Sequence, residues 1–283
     1  MVDFILLGAA KSGTTSLADI LSSHPNVCFC QQKEPHFFSK NVDWRERLPQ
    51  YESMFNPLPG QICGEGSTSY TMYPEFCLNI WDILYEVNPS LKFIYIMRHP
   101  FERIVSQYMH CYLRGLTSKP IDQAILNDPI YINRTRYYTQ IKPYINIFGP
   151  QNILLLTFEE FTNNTKNSIT SIANFLDISS KSFEITSTHS NSSINSYKND
   201  ERLDRVLKNA SFLRFLKHVL PKETSIYIYR SIQNMFSRKI DGKPFLTNDL
   251  KKVIYDLLIL DIIKIQEKMG REIFEWNDFY TTR

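Results

Sequence analysis

The sequence predicts an α/β protein, a single domain over residues 1–283 in which a central parallel β-sheet is flanked by helices. Three observations predict it. Apolar runs of strand length alternate with segments of helical period. The opening run Phe4-Ile5-Leu6-Leu7 enters a loop of small residues and then a helix start at Thr14-Thr15-Ser16-Leu17. No internal repeat and no long linker divides the 283 residues.

The elements follow in order. Leu17, Ile20 and Leu21 mark the first helix, and His24-Pro25-Asn26 ends it. Val27–Cys30 is a short second strand. Lys33-Glu34-Pro35-His36-Phe37-Phe38 breaks the apolar pattern with proline and charge, as a loop or a single helical turn. Residues 41–60 read as a surface helix and connection. Ile62-Cys63 opens a short strand that enters the polar loop Gly64–Tyr70. A helix is expected over 75–87. Lys92–Met97 is the clearest strand, and Pro100 suits the first position of the helix carrying Phe101 to about Leu113. Residues 118–133 read as an irregular insertion. Arg136–Phe148 is a helix stopped by Gly149-Pro150. Asn152–Phe158 is a strand apolar enough to be covered on both faces. Helices are expected over Glu159–Leu176 and Glu201–Val219, with a Ser/Thr/Asn-rich flexible stretch over 177–200 and a loop at 238–246. A last helix starts at Thr247 and runs to about Met269, where Gly270 ends it.

Composition narrows the function. Net charge is +3, from 32 Lys+Arg against 29 Asp+Glu. That balance argues for neither nucleic acid nor a membrane surface as partner. No apolar run approaches the roughly 20 residues of a membrane span, and no signal peptide precedes the first strand. The expectation is a soluble protein. The five cysteines are not a disulfide framework, since their number is odd and no C-x-x-C pair occurs. The six histidines show no H-x-x-x-H spacing, so no metal site is expected.

Two stretches carry chemistry. In the first, strand, tight loop and helix N-terminus together form an anion site, because the first helical N–H groups lack partners within the helix. Lys11 adds a full positive charge, and Ser12, Thr14, Thr15 and Ser16 add hydroxyl donors. Gly13 lets the backbone approach an oxyanion. The nucleotide-triphosphate pattern has lysine after its last glycine; here Lys11 precedes Gly13. The bland alternative is a buried βα turn with a solvated lysine. In the second stretch Arg98 ends a strand, and Ser106 stands eight residues on in the following helix. Arginine offers forked, charge-assisted bonds to phosphate; the alternative is an arginine paired with a nearby carboxylate. Together the two stretches ask for a ligand with two anionic ends.

In this order the motifs resemble the sulfotransferases that use 3′-phosphoadenosine 5′-phosphosulfate (PAPS), above all the heparan-sulfate and other carbohydrate-type members and their bacterial homologues. Lys11–Leu17 resembles the 5′-phosphosulfate loop, and Arg98–Arg103 with Ser106 the 3′-phosphate segment. Lys33–Phe38 resembles the segment supplying the catalytic carboxylate, and Gly64–Tyr70 the substrate-side loop. Asp261–Trp276 resembles the closing helix of bacterial members. The resemblance implies a P-loop-like sulfotransferase fold over nearly the whole chain, and a bacterial cytoplasmic enzyme. It implies PAPS as donor, PAP as product and no metal. It makes Lys11 and Glu34 catalytic, Glu34 as base, with His36 as alternative base, orienting partner or simply a packed histidine. Lys11, Ser12, Gly13, Thr14, Thr15, Ser16, Arg98 and Ser106 would bind the nucleotide. Tyr197 and Lys198 fall where relatives cover it, and Tyr138 lines the cleft or the core. One departure stands out: animal heparan-sulfate enzymes carry a catalytic lysine where this chain has Gly66. The acceptor is expected to be a glycan, a lipid or a small molecule. Two rivals are weighed. A nucleotide kinase is disfavoured by the missing Gly-Lys-Ser/Thr and the lack of an obvious Mg²⁺-binding aspartate at a strand end. A non-catalytic glycan-binding module would need no base at Glu34.

Overall fold

The computed structural model describes residues 1–76, 78–183, 197–198, 238–239 and 244–282. The chain divides into two compact units. The first comprises Met1–Ile104, Asp128–Ser190 and Thr247–Arg283, and the second Val105–Asn127 and Asn191–Leu246.

The first unit is built on five parallel strands in the order β2-β3-β1-β4-β5. They are β1 (Phe4–Gly8), β2 (Val27–Phe29), β3 (Ile62–Gly66), β4 (Lys92–Met97) and β5 (Ile153–Thr157). Period-two alternation sends Phe4, Leu6, Ile94 and Ile96 to one face. There they pack with Leu17 and Leu21 of α1 (Thr14–Ser22), Phe161 of α9 (Phe158–Asn163) and Ile169, Ile172 and Leu176 of α10 (Thr165–Leu176). On the other face Phe93 meets the rings of Tyr144 and Phe148, and Tyr95 meets Tyr137, all from α8 (Tyr137–Phe148). Between them lie α2 (Phe37–Lys40), α3 (Leu48–Glu52), α4 (Ile80–Val87), α5 (Pro100–Leu113), α6 (Ile121–Asn127) and α7 (Ile130–Asn133). The long C-terminal helix is α11 (Asn248–Met269), followed by α12 (Asn277–Tyr280). Asp261 of α11 caps α8 by accepting from the Tyr138 and Thr139 main-chain N–H groups at 2.8 and 2.9 Å.

The second unit holds the later turns of α5, α6, and an antiparallel pair, β6 (Tyr197–Lys198) with β7 (Arg238–Lys239). Within it the Tyr108 hydroxyl donates to the Lys119 carbonyl at 2.9 Å.

Several expectations are corrected. The 118–133 stretch is not irregular: α6 follows Pro120 and α7 follows Pro129, each proline preset for a helix start. The helix expected over 75–87 begins only at Ile80, behind Asn79. The 159–176 helix is two helices, broken where Asn164 leaves helical geometry at φ −140° and ψ 60°. β5 has α8 against one face and α9 and α10 against the other, but it is an edge strand, and Ile153, Leu154 and Leu155 are only half-buried. In 41–60 only Leu48–Glu52 is α-helical. The expected helix over 201–219 lies outside the described residues. Among the described residues no helix is long and apolar enough to cross a membrane.

Candidate active site at the carboxyl edge of the sheet

Parallel strands all deliver their carboxyl ends to one edge, and the candidate residues gather there. β1 ends in Gly8, and α1 begins at Thr14 with Gly13 as its cap residue and no side-chain cap bond. The turn between is tightly wound: Lys11 sits at φ +72° and Gly13 at φ +83°. A β-carbon on Gly13 would lie 2.6 Å from the Phe158 ring, so glycine is needed for both angle and space. The Ser12 hydroxyl is buried and makes no hydrogen bond among the described residues. A buried polar atom without a protein partner is rare, and here it stands in the loop expected to hold an anion. Lys11 is half-buried and Thr15 exposed.

β4 lies beside β1, so Arg98 emerges next to this loop. Its Nη1 is 3.5 Å from the Lys11 carbonyl oxygen, and its guanidinium carbon lies 4.9 Å over the Phe158 ring. Nη2 pairs with Glu102 at 3.3 Å, while the buried Nε has no hydrogen-bond partner among the described residues. Lys11 and Arg98 therefore share one edge, close enough for a single nucleotide. The Arg98 turn is braced from behind. The Tyr137 hydroxyl donates to the Arg98 carbonyl at 2.5 Å. Glu159 accepts from the His99 main-chain N–H at 2.9 Å and from the Trp276 indole at 3.1 Å. His99 Nε2 pairs with Asp278 at 2.7 Å. The C-terminal segment is thus tied to this turn.

Arg103 belongs to the segment resembling a phosphate site, yet its side chain is fully buried. It donates to Thr135 Oγ1 at 2.8 Å, the Tyr131 carbonyl at 2.9 Å and the Ala10 carbonyl at 3.4 Å. Burial pulls its guanidinium down to about 10. It anchors the Lys11 loop from beneath.

β2 and β1 are not neighbours, so Glu34 and His36 do not emerge directly beside the Lys11 loop. β3 intervenes, and the segment after β2 folds across its end, where the Glu34 N–H donates to the Gly66 carbonyl at 3.2 Å. The link to the loop is Lys33, whose Nζ lies 3.2 Å from Thr15 Oγ1 and 3.7 Å from Glu34 Oε1. Glu34 Oε2 accepts from the Thr68 hydroxyl at 2.8 Å and stands 3.3 Å from His36 Nε2. His36 Nδ1 is 2.7 Å from the Ser69 hydroxyl. Burial holds the imidazole below its ordinary value, against the opposing pull of the Glu34 carboxylate. A neutral ring with its proton on Nε2 donates to Glu34 and accepts from Ser69.

Lys33, Thr68 and Ser69 are absent from the sequence-derived site. The signal for Thr68 and Ser69 was a hydroxyl run, Ser67-Thr68-Ser69, directly after Gly66 at a strand end, and for Lys33 its place next to Glu34. Ser106 falls in the second unit, as do Tyr197 and Lys198, whose strand is described but whose side chains lie outside the described residues. Tyr138 is half-buried at the start of α8. Of the cysteines, Cys30, Cys63 and Cys111 are buried free thiols, and Cys28 is a half-buried one. Among the described residues no cluster of three or more His, Cys, Asp or Glu could hold a metal.

A parallel sheet whose first βα turn is a glycine-bent, lysine-carrying helix entry, with an arginine on the adjoining strand, is an α/β fold of the P-loop-like kind. Residues 2–218 match the Sulfotransferase domain family, and the chain belongs to that family. Mouse heparan sulfate glucosamine 3-O-sulfotransferase 5 is 32% identical over 105 residues, 37% of this chain and 29% of that protein. Human carbohydrate sulfotransferase 15 is 23% identical over 247 residues, 62% of this chain and 43% of that protein. The chain thus spans less than half the length of these curated relatives. A solved sulfotransferase from Alicyclobacillus acidocaldarius shares the fold at a TM-score of 0.68 and 21% identity, covering 98% of this chain and 99% of that one. Mouse sulfotransferase SULT7A1, solved complexed with PAP, has a TM-score of 0.50 at 18% identity, covering 100% of this chain and 89% of that one.

Proposed function

We propose that the protein transfers the sulfuryl group of PAPS to a hydroxyl or amine of an acceptor, a glycan, lipid or small-molecule metabolite, with Glu34 as base. One observation carries the reading. The Lys11 loop, the Arg98 guanidinium and the Glu34 carboxylate stand on one sheet edge, linked through Lys33, with a buried Ser12 hydroxyl that has no partner among the described residues. That family members are solved with PAP supports the donor.

The donor supplies the sulfuryl group. The acceptor oxygen or nitrogen forms the new bond to sulfur, and the bond from sulfur to the 5′-phosphate oxygen breaks. The electron pair leaves with PAP. Charge therefore builds on the leaving oxygen, and Lys11 with the first N–H groups of α1 neutralises it. Ser12, Gly13, Thr14, Thr15 and Ser16 orient the 5′ end. Glu34 takes the acceptor's proton, and the His36 Nε2–H keeps the carboxylate aimed. Arg98 is assigned the 3′-phosphate. Ser106, Tyr197 and Lys198 are assigned to the nucleotide on the resemblance of their segments alone. The match over 2–218 runs through both units, which supports one sulfotransferase domain over 1–283. Gly66 removes the lysine of the animal heparan-sulfate enzymes, so charge neutralisation falls to Lys11, with Lys33 at hand.

The test is thermal unfolding with PAP, and labelled PAPS against a panel holding a glycosaminoglycan, a phenol and a primary alcohol. PAP raises the melting temperature, ATP with Mg²⁺ does much less, and Glu34→Gln keeps PAP binding but loses transfer. No shift with PAP would favour a binding module, and a larger shift with ATP and Mg²⁺ a kinase. Intact turnover in Glu34→Gln would move the base elsewhere.

A further inference from the structure

One acid at this edge takes no part in the transfer as described. Glu65, in β3, is completely buried. Its Oε1 accepts from the Tyr51 and Tyr70 hydroxyls, each at 2.9 Å, and its Oε2 from the Ser67 hydroxyl at 2.7 Å. Once ionised, above about pH 7, the carboxylate only accepts, so all three hydroxyl hydrogens then point at it. The lone pairs of Ser67 and Tyr70 are then left for other donors. Ser67 Oγ takes the main-chain N–H of His36 at 3.0 Å, and the Tyr70 hydroxyl takes that of Phe38 at 3.3 Å. Two alternate N–H groups of one short turn therefore end, through one hydroxyl each, on a single carboxylate.

That turn needs holding. Glu34 and His36 sit at φ +54° and +53°, in the left-handed region that side-chain-bearing residues enter only at a cost. The His36 and Glu34 side-chain bonds aim the functional groups; the Glu34 N–H is held by the Gly66 carbonyl, and the N–H groups of His36 and Phe38 by the Ser67 and Tyr70 hydroxyls. Hydroxyls polarised by a carboxylate accept more strongly than free ones.

We propose that Glu65 is the positioning residue of the base-bearing turn: through the Ser67 and Tyr70 hydroxyls it fixes the main chain at His36 and Phe38, and so fixes where the Glu34 carboxylate stands. This rests on the reading of Glu34 as the base. Glu65 itself touches no reacting atom.

Glu65→Gln tests it. The amide keeps the shape but turns one acceptor into an N–H donor, so at least one hydroxyl must turn its hydrogen away and accept from the amide, which weakens its hold on the backbone N–H. PAP binding by calorimetry stays within about threefold of the unmodified protein, because the Lys11 loop is untouched. Turnover of labelled PAPS, with water as acceptor where no panel member reacts, falls about 10- to 100-fold. Hydrogen exchange at the His36–Phe38 amides quickens about tenfold. A merely structural role would lower the melting temperature without this split between turnover and PAP affinity. Turnover within about threefold of the unmodified protein, with protected amides, overturns the inference. Should Glu65→Gln not fold, Ser67→Ala and Tyr70→Phe leave the carboxylate in place and remove one arm each. Slower turnover with kept PAP binding supports the inference, and full turnover in both overturns it. Glu34→Gln is run alongside. If it retains turnover, the base reading fails and the amide exchange alone decides Glu65. If it loses turnover while Glu65→Gln does not, only the present inference falls.

Discussion

Titrating Glu65 should make the protein less stable as pH rises, the reverse of the usual carboxylate. Burial is the larger cause and pushes its carboxyl up to about 7, against the Ser67, Tyr70 and Tyr51 hydrogen bonds that pull it down. The unfolded chain returns it to the ordinary value of 4.5. The sign follows. Between these values the folded state holds the proton that the unfolded state has released. The contribution is therefore whole below 4.5, is lost as pH climbs through about 7, and changes little above. The gap of roughly 2.5 units is worth about 3 kcal/mol at 1.36 kcal/mol per unit. For a chain of this size that moves the melting temperature by about 6–12 °C. The assay is thermal unfolding of the unmodified protein and Glu65→Gln from about pH 5 to about pH 8. The difference between the two curves isolates this group from His36, whose lowered value gives the opposite slope. A pH-independent difference, or one that grows with pH in favour of the unmodified protein, refutes the reasoning.

Other expectations rest on separate contacts. Lys11→Ala and Arg98→Ala each weaken PAP binding at least about 100-fold by calorimetry, the loss expected for a charge-assisted phosphate contact; binding within about threefold for either would remove that residue from the nucleotide site. Gly13→Ala forces a β-carbon to φ +83° and against Phe158, the ring beneath Arg98. It should cost about 2 kcal/mol or more in denaturant unfolding and weaken PAP binding as well. Arg103→Met removes two strong charge-assisted bonds and loosens the support of Ala10, which should cost about 2–4 kcal/mol. An unchanged unfolding midpoint would mean that the buried guanidinium contributes nothing net.

Some of the architecture is written locally. The Phe4–Leu7 run, the lysine-bearing turn and the Leu17/Ile20/Leu21 stripe state β1, loop and α1 within twenty residues, because strand period, glycine and helix period are short-range properties. Lys92–Met97 followed by Arg98-His99-Pro100 is equally local, since proline presets the helix that follows. The lysine and arginine of these two stretches were legible for that reason. Helix breaks were less so: the halt at Asn164 and the start at Ile80 turn on single residues whose dihedral choice is settled by packing.

Residue type and period decide each element locally, and from them alone follows a parallel α/β protein whose strand ends carry lysine, arginine and a carboxylate. Adjacency came only with folding. The strand order put β3 between β2 and β1, so the Glu34 turn reaches the Lys11 loop by crossing Gly66 and extending Lys33 to Thr15. It also buried Arg103 under Ala10 and drew Tyr51, Ser67 and Tyr70 around Glu65. Ser67 and Tyr70 lie 2 and 5 positions from Glu65, but Tyr51 lies 14 away and Arg103 lies 93 from Ala10, and the geometry of those longer contacts follows from how the sheet closes its core.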